Sequence, residues 1–142
     1  MGRFLVASGV VAACMVWFKI NDSKLPVGAQ RLEFTCQPHR AAEIAEQYTT
    51  DEHRARVTRA LVVDSAIFVP AYVVALSAGA GRKWTAAIAA AGLLDLVENG
   101  GIALEVHQKR YDLAPVVGTA AAIKWAIVLA AIGRSIVRYA RR

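Results

Sequence analysis

Cysteine is scarce in this chain: Cys14 and Cys36 are the two present. Cys14 falls inside an apolar run and Cys36 beyond it, so a bridge between them would have to reach from mid-membrane to a loop. No C-x-x-C pair exists, and the two thiols carry no signal of redox compartment. No glycine loop of the phosphate-binding type is present, no G-x-S-x-G appears, and no Ser–His pair has a recognisable catalytic setting. His39, His53 and His107, even with Glu105, fit no metal-ligand spacing. Neither a metal nor a cofactor is expected, and no catalytic residue can be named. Internal repeats and low-complexity linkers are missing too. The net charge of +6 comes with no basic face interleaved with aromatics, which excludes a nucleic-acid reading.

What the chain does have is apolar length. Of its 142 residues, 56% are hydrophobic, above the roughly 45–50% of a soluble domain. The mean hydropathy is +0.39. The excess is clustered into four runs, Phe4–Phe18, Ala60–Ala80, Trp84–Val106 and Leu113–Gly133. About 20 apolar residues cross a hydrocarbon core of roughly 30 Å. The last three runs meet that length; the first does so once Met1 and Ile20 extend it and Lys19 snorkels. The expectation is an all-α, four-helix transmembrane bundle, one integral membrane domain over residues 1–142, with spans near 4–20, 60–80, 84–106 and 113–134 and a polar loop over 21–59. Two other readings of the first run, a lipoprotein signal ending at Cys14 and an ordinary cleaved signal peptide, are weaker because apolar residues continue through Met15, Val16, Trp17 and Phe18.

Within the polar loop, Arg31–Cys36 alternates polar and apolar residues, so an extended segment is expected there. Pro38–Tyr48 reads as an amphipathic helix, with Pro38 at its start and Ala41, Ile44, Ala45 and Tyr48 on one face. Thr50 is placed to cap a helix whose first turn holds Asp51 and Glu52 and which continues into the second span. Pro70 predicts a kink inside that span. The Gly79–Lys83 connection is short, so the second and third spans are antiparallel neighbours. Small residues crowd the third and fourth spans, where close packing holds helices together in lipid. Lys and Arg are spread over both sides of such a bundle, and the positive-inside rule does not choose between them.

Ionisable residues sit near the middle of three runs: Asp64, then Asp95 and Glu98, then Lys124. Each costs at least about 2.5–3.5 kcal/mol inside a membrane unless paired or wetted. Asp95, Glu98 and Asn99 share one helical face. Two carboxylates so close in an apolar setting require a proton or a nearby cation. Lys124, at similar depth on the antiparallel fourth span, is the cation available. Ser65, Tyr72 and Trp125 are placed to complete the hydrogen bonds of Asp64.

The stretches Arg31-Leu32-Glu33-Phe34 with Arg40–Ile44, Val63–Phe68 with Tyr72, Leu94-Asp95-Leu96-Val97-Glu98-Asn99 and Lys124-Trp125 together resemble small bacterial four-span membrane proteins that carry an L-D-x-x-E-N motif. The resemblance implies a four-span architecture and the same polar set, and it brings no activity with it.

Three readings follow. In the first, the protein is a non-enzymatic component of the cell membrane whose carboxylate/lysine cluster organises the bundle or a contact with a membrane partner or a second copy of itself. In the second it is a small transporter or proton- or ion-conducting element using Asp64, Asp95, Glu98 and Lys124. In the third it is a lipid-modifying enzyme, which lacks a visible nucleophile. Arg134, Arg138, Arg141 and Arg142, just past the last run, are expected to meet anionic headgroups of the bilayer.

Overall fold

The computed structural model describes residues 2–141, leaving aside the side chain of Arg3; Met1 and Arg142, both invoked above, lie outside the described residues. Helix α1 is Gly2–Asp22, α2 the single turn Gln30–Glu33, α3 Pro38–Ala45, α4 Asp51–Val63, α5 Val69–Ala80, α6 Thr85–Gln108 and α7 Ala114–Ala140. A π turn, Asp64–Phe68, joins α4 to α5, and 3-10 turns at Arg82–Trp84 and Tyr111–Leu113 open α6 and α7. No strand occurs among the described residues.

Four helical stretches are long and apolar enough to cross a membrane: Phe4–Asp22, Asp51–Ala80, Arg82–Gln108 and Tyr111–Ala140. Their outer faces agree with that role, since Val6, Leu93 and Ile136 are each more than 60% exposed. In water these faces would cost about 25 cal/mol for each Å² of apolar surface left uncovered. In lipid they need no cover. The chain is thus an all-α bundle of the multi-pass membrane type, with Glu33, Asp95, Glu98, Asn99, Glu105 and Lys124 buried inside it. On α6 the buried positions Ile88, Ala91, Gly92, Asp95, Glu98, Asn99, Ile102, Glu105 and Val106 recur with helical spacing and form one inward stripe.

Each connection has a local cause. The Thr50 hydroxyl accepts from the His53 amide at 3.1 Å and starts α4, with Asp51 and Glu52 in the first turn. Such a cap contributes about 1 kcal/mol. The break announced by Pro70 takes the form of the π turn, which lies on its N-terminal side. The Val69 amide reaches back to the Asp64 carbonyl, one residue farther than in an α-helix. Pro70 has no amide to give to Ala66, and the extra residue turns all that precedes it by about 100° relative to α5. Gly81 has φ 96°, which allows the tight reversal into α6. Lys109, with φ 56°, ends α6 in the left-handed conformation.

The first loop departs from expectation over Arg31–Cys36. Gln30–Glu33 forms a helical turn, and the non-helical backbone before α3 is confined to residues 34–37. The cause is packing: Leu32 is fully buried in a cluster with Tyr48, Val57, Ile102 and Val117, beneath the loop. Turning Leu32 and Glu33 inward together leaves Phe34 outside, 62% exposed. The amphipathic helix α3 lies where the sequence puts it, burying Ala41 and Ala45, with Tyr48 just beyond its end donating to the Val27 carbonyl at 3.1 Å. A second, smaller apolar cluster of Ala80, Ile88 and Ala131 closes the opposite end of the bundle. The polar site lies between the two clusters.

Candidate functional site

Lys124 projects from the inward face of α7. Its Nζ lies 2.8 Å from Glu33 Oε1, 2.9 Å from Asp95 Oδ1 and 2.8 Å from Glu98 Oε2. The side chains of Asp95, Glu98 and Lys124 are nearly solvent-free, and Glu33 retains about a tenth of its exposure. Three carboxyl groups from two elements thus converge on one ammonium. Asp95 and Glu98 arrive together because three residues along α6 bring side chains back to the same face. Glu33 arrives from the loop, ninety-one residues away in sequence.

The approach of the loop depends on Gly118. A Cβ there would run into the Cys36 sulfur and would stand 3.3 Å from the Thr35 carbonyl oxygen. With only hydrogen at that position, the loop backbone lies directly on α7 and Glu33 reaches down to Lys124. The Trp125 indole donates to the same Glu33 Oε1 at 2.6 Å. Lys124 Nζ also stands 5.5 Å from the Trp125 ring centroid, within cation–π range.

Asp64 and Ser65 form an adjoining group at the start of the π turn. The Asn99 amide nitrogen donates to Asp64 Oδ2 at 2.6 Å and to Ser65 Oγ at 3.0 Å. Each polar residue of the Asp95–Asn99 stretch therefore has a defined partner: Asp95 and Glu98 on Lys124, Asn99 on Asp64. The sequence reading paired Lys124 with Asp95 or Glu98, and both pairings are present. It offered Ser65, Tyr72 and Trp125 as partners of Asp64. Asn99 takes that part instead, Ser65 shares Asn99, and Trp125 binds Glu33. Tyr72 is buried with a hydroxyl that makes no hydrogen bond among the described residues, although Asp95 is its close neighbour.

Glu33 is the member the sequence did not single out as ionic. Its one signal is an acidic residue between Leu32 and Phe34, which any amphipathic loop could contain. Glu105 lies farther along the same face of α6, fully buried, with both oxygens lacking a hydrogen-bond partner among the described residues. His107 Nε2 is 2.7 Å from Thr58 Oγ1. No group of three or more His, Cys, Asp or Glu side chains among the described residues has the arrangement of a metal site. Arg138, expected to face headgroups, donates from Nη1 to the Gly79 carbonyl at 3.2 Å and caps the end of α5. Arg134, one turn before it, and Arg141, just after it, are exposed.

The cluster forms one pole of a cavity of about 760 Å³. Helices α1 and α7 flank α5, which forms the floor. At the end near the termini the rings of Phe4 and Tyr139 approach to 6.1 Å between centroids. The walls between are mostly apolar, with Val11, Leu76, Val128 and Ile132 among them. Phe18 stacks edge-on against Phe68 at 5.7 Å, and Phe68 against Tyr72 at 5.5 Å, so that aromatic rings lead from α1 to the cluster.

Charge balance sets what this pole can do. One ammonium faces three carboxyl groups, and Asp64 stands just behind Asn99. Neutrality of the ion-paired group needs two more positive charges, supplied by protons on the acids or by a cation from outside. Comparison with family models, curated proteins and solved structures returns no match.

Proposed function

We propose that the protein is a non-enzymatic component of the cell membrane that holds a small amphipathic molecule, with the Lys124 cluster acting both as the clasp of the bundle and as the polar pole of the binding cavity. The observation that carries this reading is the convergence of Glu33, Asp95 and Glu98 on Lys124 at one end of a cavity of about 760 Å³ whose remaining walls are mostly apolar. Ligand sites of this kind are about 300–1,000 Å³, mostly apolar, with a few placed polar groups. A cluster needed only to fix helix register gains nothing from a cavity beside it. Burying ions costs several kcal/mol each, and a packed apolar interface would serve register at least as well. In this reading Arg134 and Arg141 meet anionic headgroups, and the L-D-x-x-E-N stretch is the scaffold of the site.

The test uses the full chain in mild detergent with a mid-chain brominated long-chain alcohol, whose isotope pattern marks it in native mass spectra. One retained copy is expected on the parent protein, and none on a variant filled by Ser8→Trp with Val128→Trp that still melts cooperatively. Absence of the adduct from the parent, or its persistence in the filled variant, would overturn the reading.

A second reading, proton or ion conduction through Asp64, Asp95, Glu98 and Lys124, is favoured by Glu105. It lies seven residues past Glu98 on the same face, about 10 Å along the axis, and extends the line of buried acids toward the loop side. Reconstituted vesicles with an internal pH dye test it: proton flux unchanged by Asp95→Asn would remove it.

A further inference from the structure

The cavity has a ligand preference written into its charge, and this inference rests on the binding reading above. We propose that the occupant is an organic monocation: an ammonium head, primary to quaternary, carrying a single hydrocarbon chain. The head would sit against the acids beside Lys124 and the chain would lie along the groove between α1 and α7.

Four observations support the cationic head. The acids lining the polar pole, Glu33, Asp64, Asp95 and Glu98, outnumber the single ammonium of Lys124. An anionic head would add to that excess, a neutral one would leave it, and a cationic one reduces it. The cluster is accompanied by aromatic faces, Phe68, Tyr72 and Trp125, which attract cations through the ring quadrupole. The Tyr72 hydroxyl, on a residue 7% exposed, lines the cavity beside the Asp95 carboxylate and has no other partner among the described residues. It can accept from an N–H donor or orient toward the acids around a bulkier head. Finally, a hydrated metal cation is a poor match, because Glu33, Asp95 and Glu98 already converge on Lys124, Asp64 is engaged by Asn99, and most of the remaining lining is apolar.

The chain follows from the shape. From Lys124 to Ile136, both lining residues, α7 advances about 18 Å. That is somewhat more than half of a hydrocarbon core of roughly 30 Å, the reach of one lipid tail from its headgroup. The walls over this length are Val128, Ile132 and Ile136 on α7 and Val11 and Met15 on α1. A single tail lies along such a groove, and its head stops where the acids begin.

The experiment follows fluorescence of Trp125 in the full-length protein, with Trp17→Phe and Trp84→Phe leaving it as the one indole, in nanodiscs of zwitterionic lipid. Three probes share one tail brominated on the carbons nearest the head, so that a head seated at the acids brings bromine to Trp125, and differ in the head: trimethylammonium, hydroxyl and carboxylate. Bromine quenches indole on contact, so an occupied cavity gives saturable quenching above the linear part from dissolved probe. The expected result is saturation by all three, with the ammonium half-saturating at least about tenfold lower than the alcohol and the carboxylate weakest. Glu33→Gln should narrow the ammonium's advantage over the alcohol. If the alcohol saturates as well as the ammonium, or the carboxylate saturates best, the cationic preference is wrong while the binding reading stands. If no probe saturates, both fall. The head-group series on the unaltered acids needs no variant of the cluster, so a misfolded mutant cannot decide the outcome.

Discussion

Lys124 and Glu33 lie ninety-one residues apart and meet at 2.8 Å in the interior of the bundle. The contact ties the polar loop to the last helix, and it brings a third carboxyl group to an ammonium already held by Asp95 and Glu98. Fold and site are thus coupled: whatever loosens the loop also changes the charge of the cavity.

Replacing Lys124 by Met strands three acids in a low-dielectric interior. Breaking a buried ionic group by removing one partner costs about 3–5 kcal/mol. Lys124→Met should therefore melt well below the parent in detergent. Combining it with Glu33→Gln, Asp95→Asn and Glu98→Gln should recover most of the loss. Neutral variants that melt like the parent at every stage would show that the ion pairs do not organise the bundle.

Glu33→Gln keeps an acceptor for the Trp125 indole but removes the ionic contact with Lys124. Hydrogen exchange should rise over residues 30–37, with α6 and the middle of α7 unchanged. Exchange equal to the parent's would mean that Leu32 and its apolar cluster hold the loop unaided.

Two glycines should respond in opposite directions. Gly118→Ala pushes a methyl group into Cys36 and against the Thr35 carbonyl, and should lower stability by about 1–3 kcal/mol. Gly100→Ala meets nothing within 4 Å and should raise stability by up to about 1 kcal/mol through helix propensity. Equal effects from the two, measured by thermal melts, would contradict the close seat of the loop on α7.

Tyr48 provides a pH test outside the spans. Burial, and then the nearby Asp22 carboxylate, push its phenol up to about 12. The folded state favours the protonated form, so the stabilising contribution is whole below about pH 10, the ordinary tyrosine value, and is lost as pH rises through about 12. Phenolate absorbance of the parent should titrate late in comparison with its denatured form. In Tyr48→Phe, the late component should shrink by one tyrosine. A parent whose tyrosines all titrate near 10 would contradict the burial of Tyr48.

Much of this was legible in the sequence. The apolar runs locate the spans because length and composition alone decide whether a helix suits a bilayer. The pairing of Lys124 with Asp95 or Glu98 follows from helical periodicity and depth. The amphipathic face of α3 and the Thr50 cap are equally local. What escaped is what depends on the chain's return path. Alternation over Arg31–Cys36 suggests an extended segment, and only the burial of Leu32 among residues from distant helices makes Gln30–Glu33 a helical turn and sends Glu33 inward. Pro70 announced a disturbance, but a missing amide does not say whether the helix answers with a bend or, as here, with a π turn at Asp64–Phe68. The cavity needed three helices placed together before it existed at all.

The central claim is that residues 33 and 124 form one charged contact in the membrane interior. Exchanging their charges tests it most directly, because Glu33→Lys with Lys124→Glu preserves the count of one ammonium and three acids. Thermal unfolding in detergent should show each single exchange strongly destabilised and the double exchange melting above both. A double exchange that melts no higher than the worse single variant would contradict the claim.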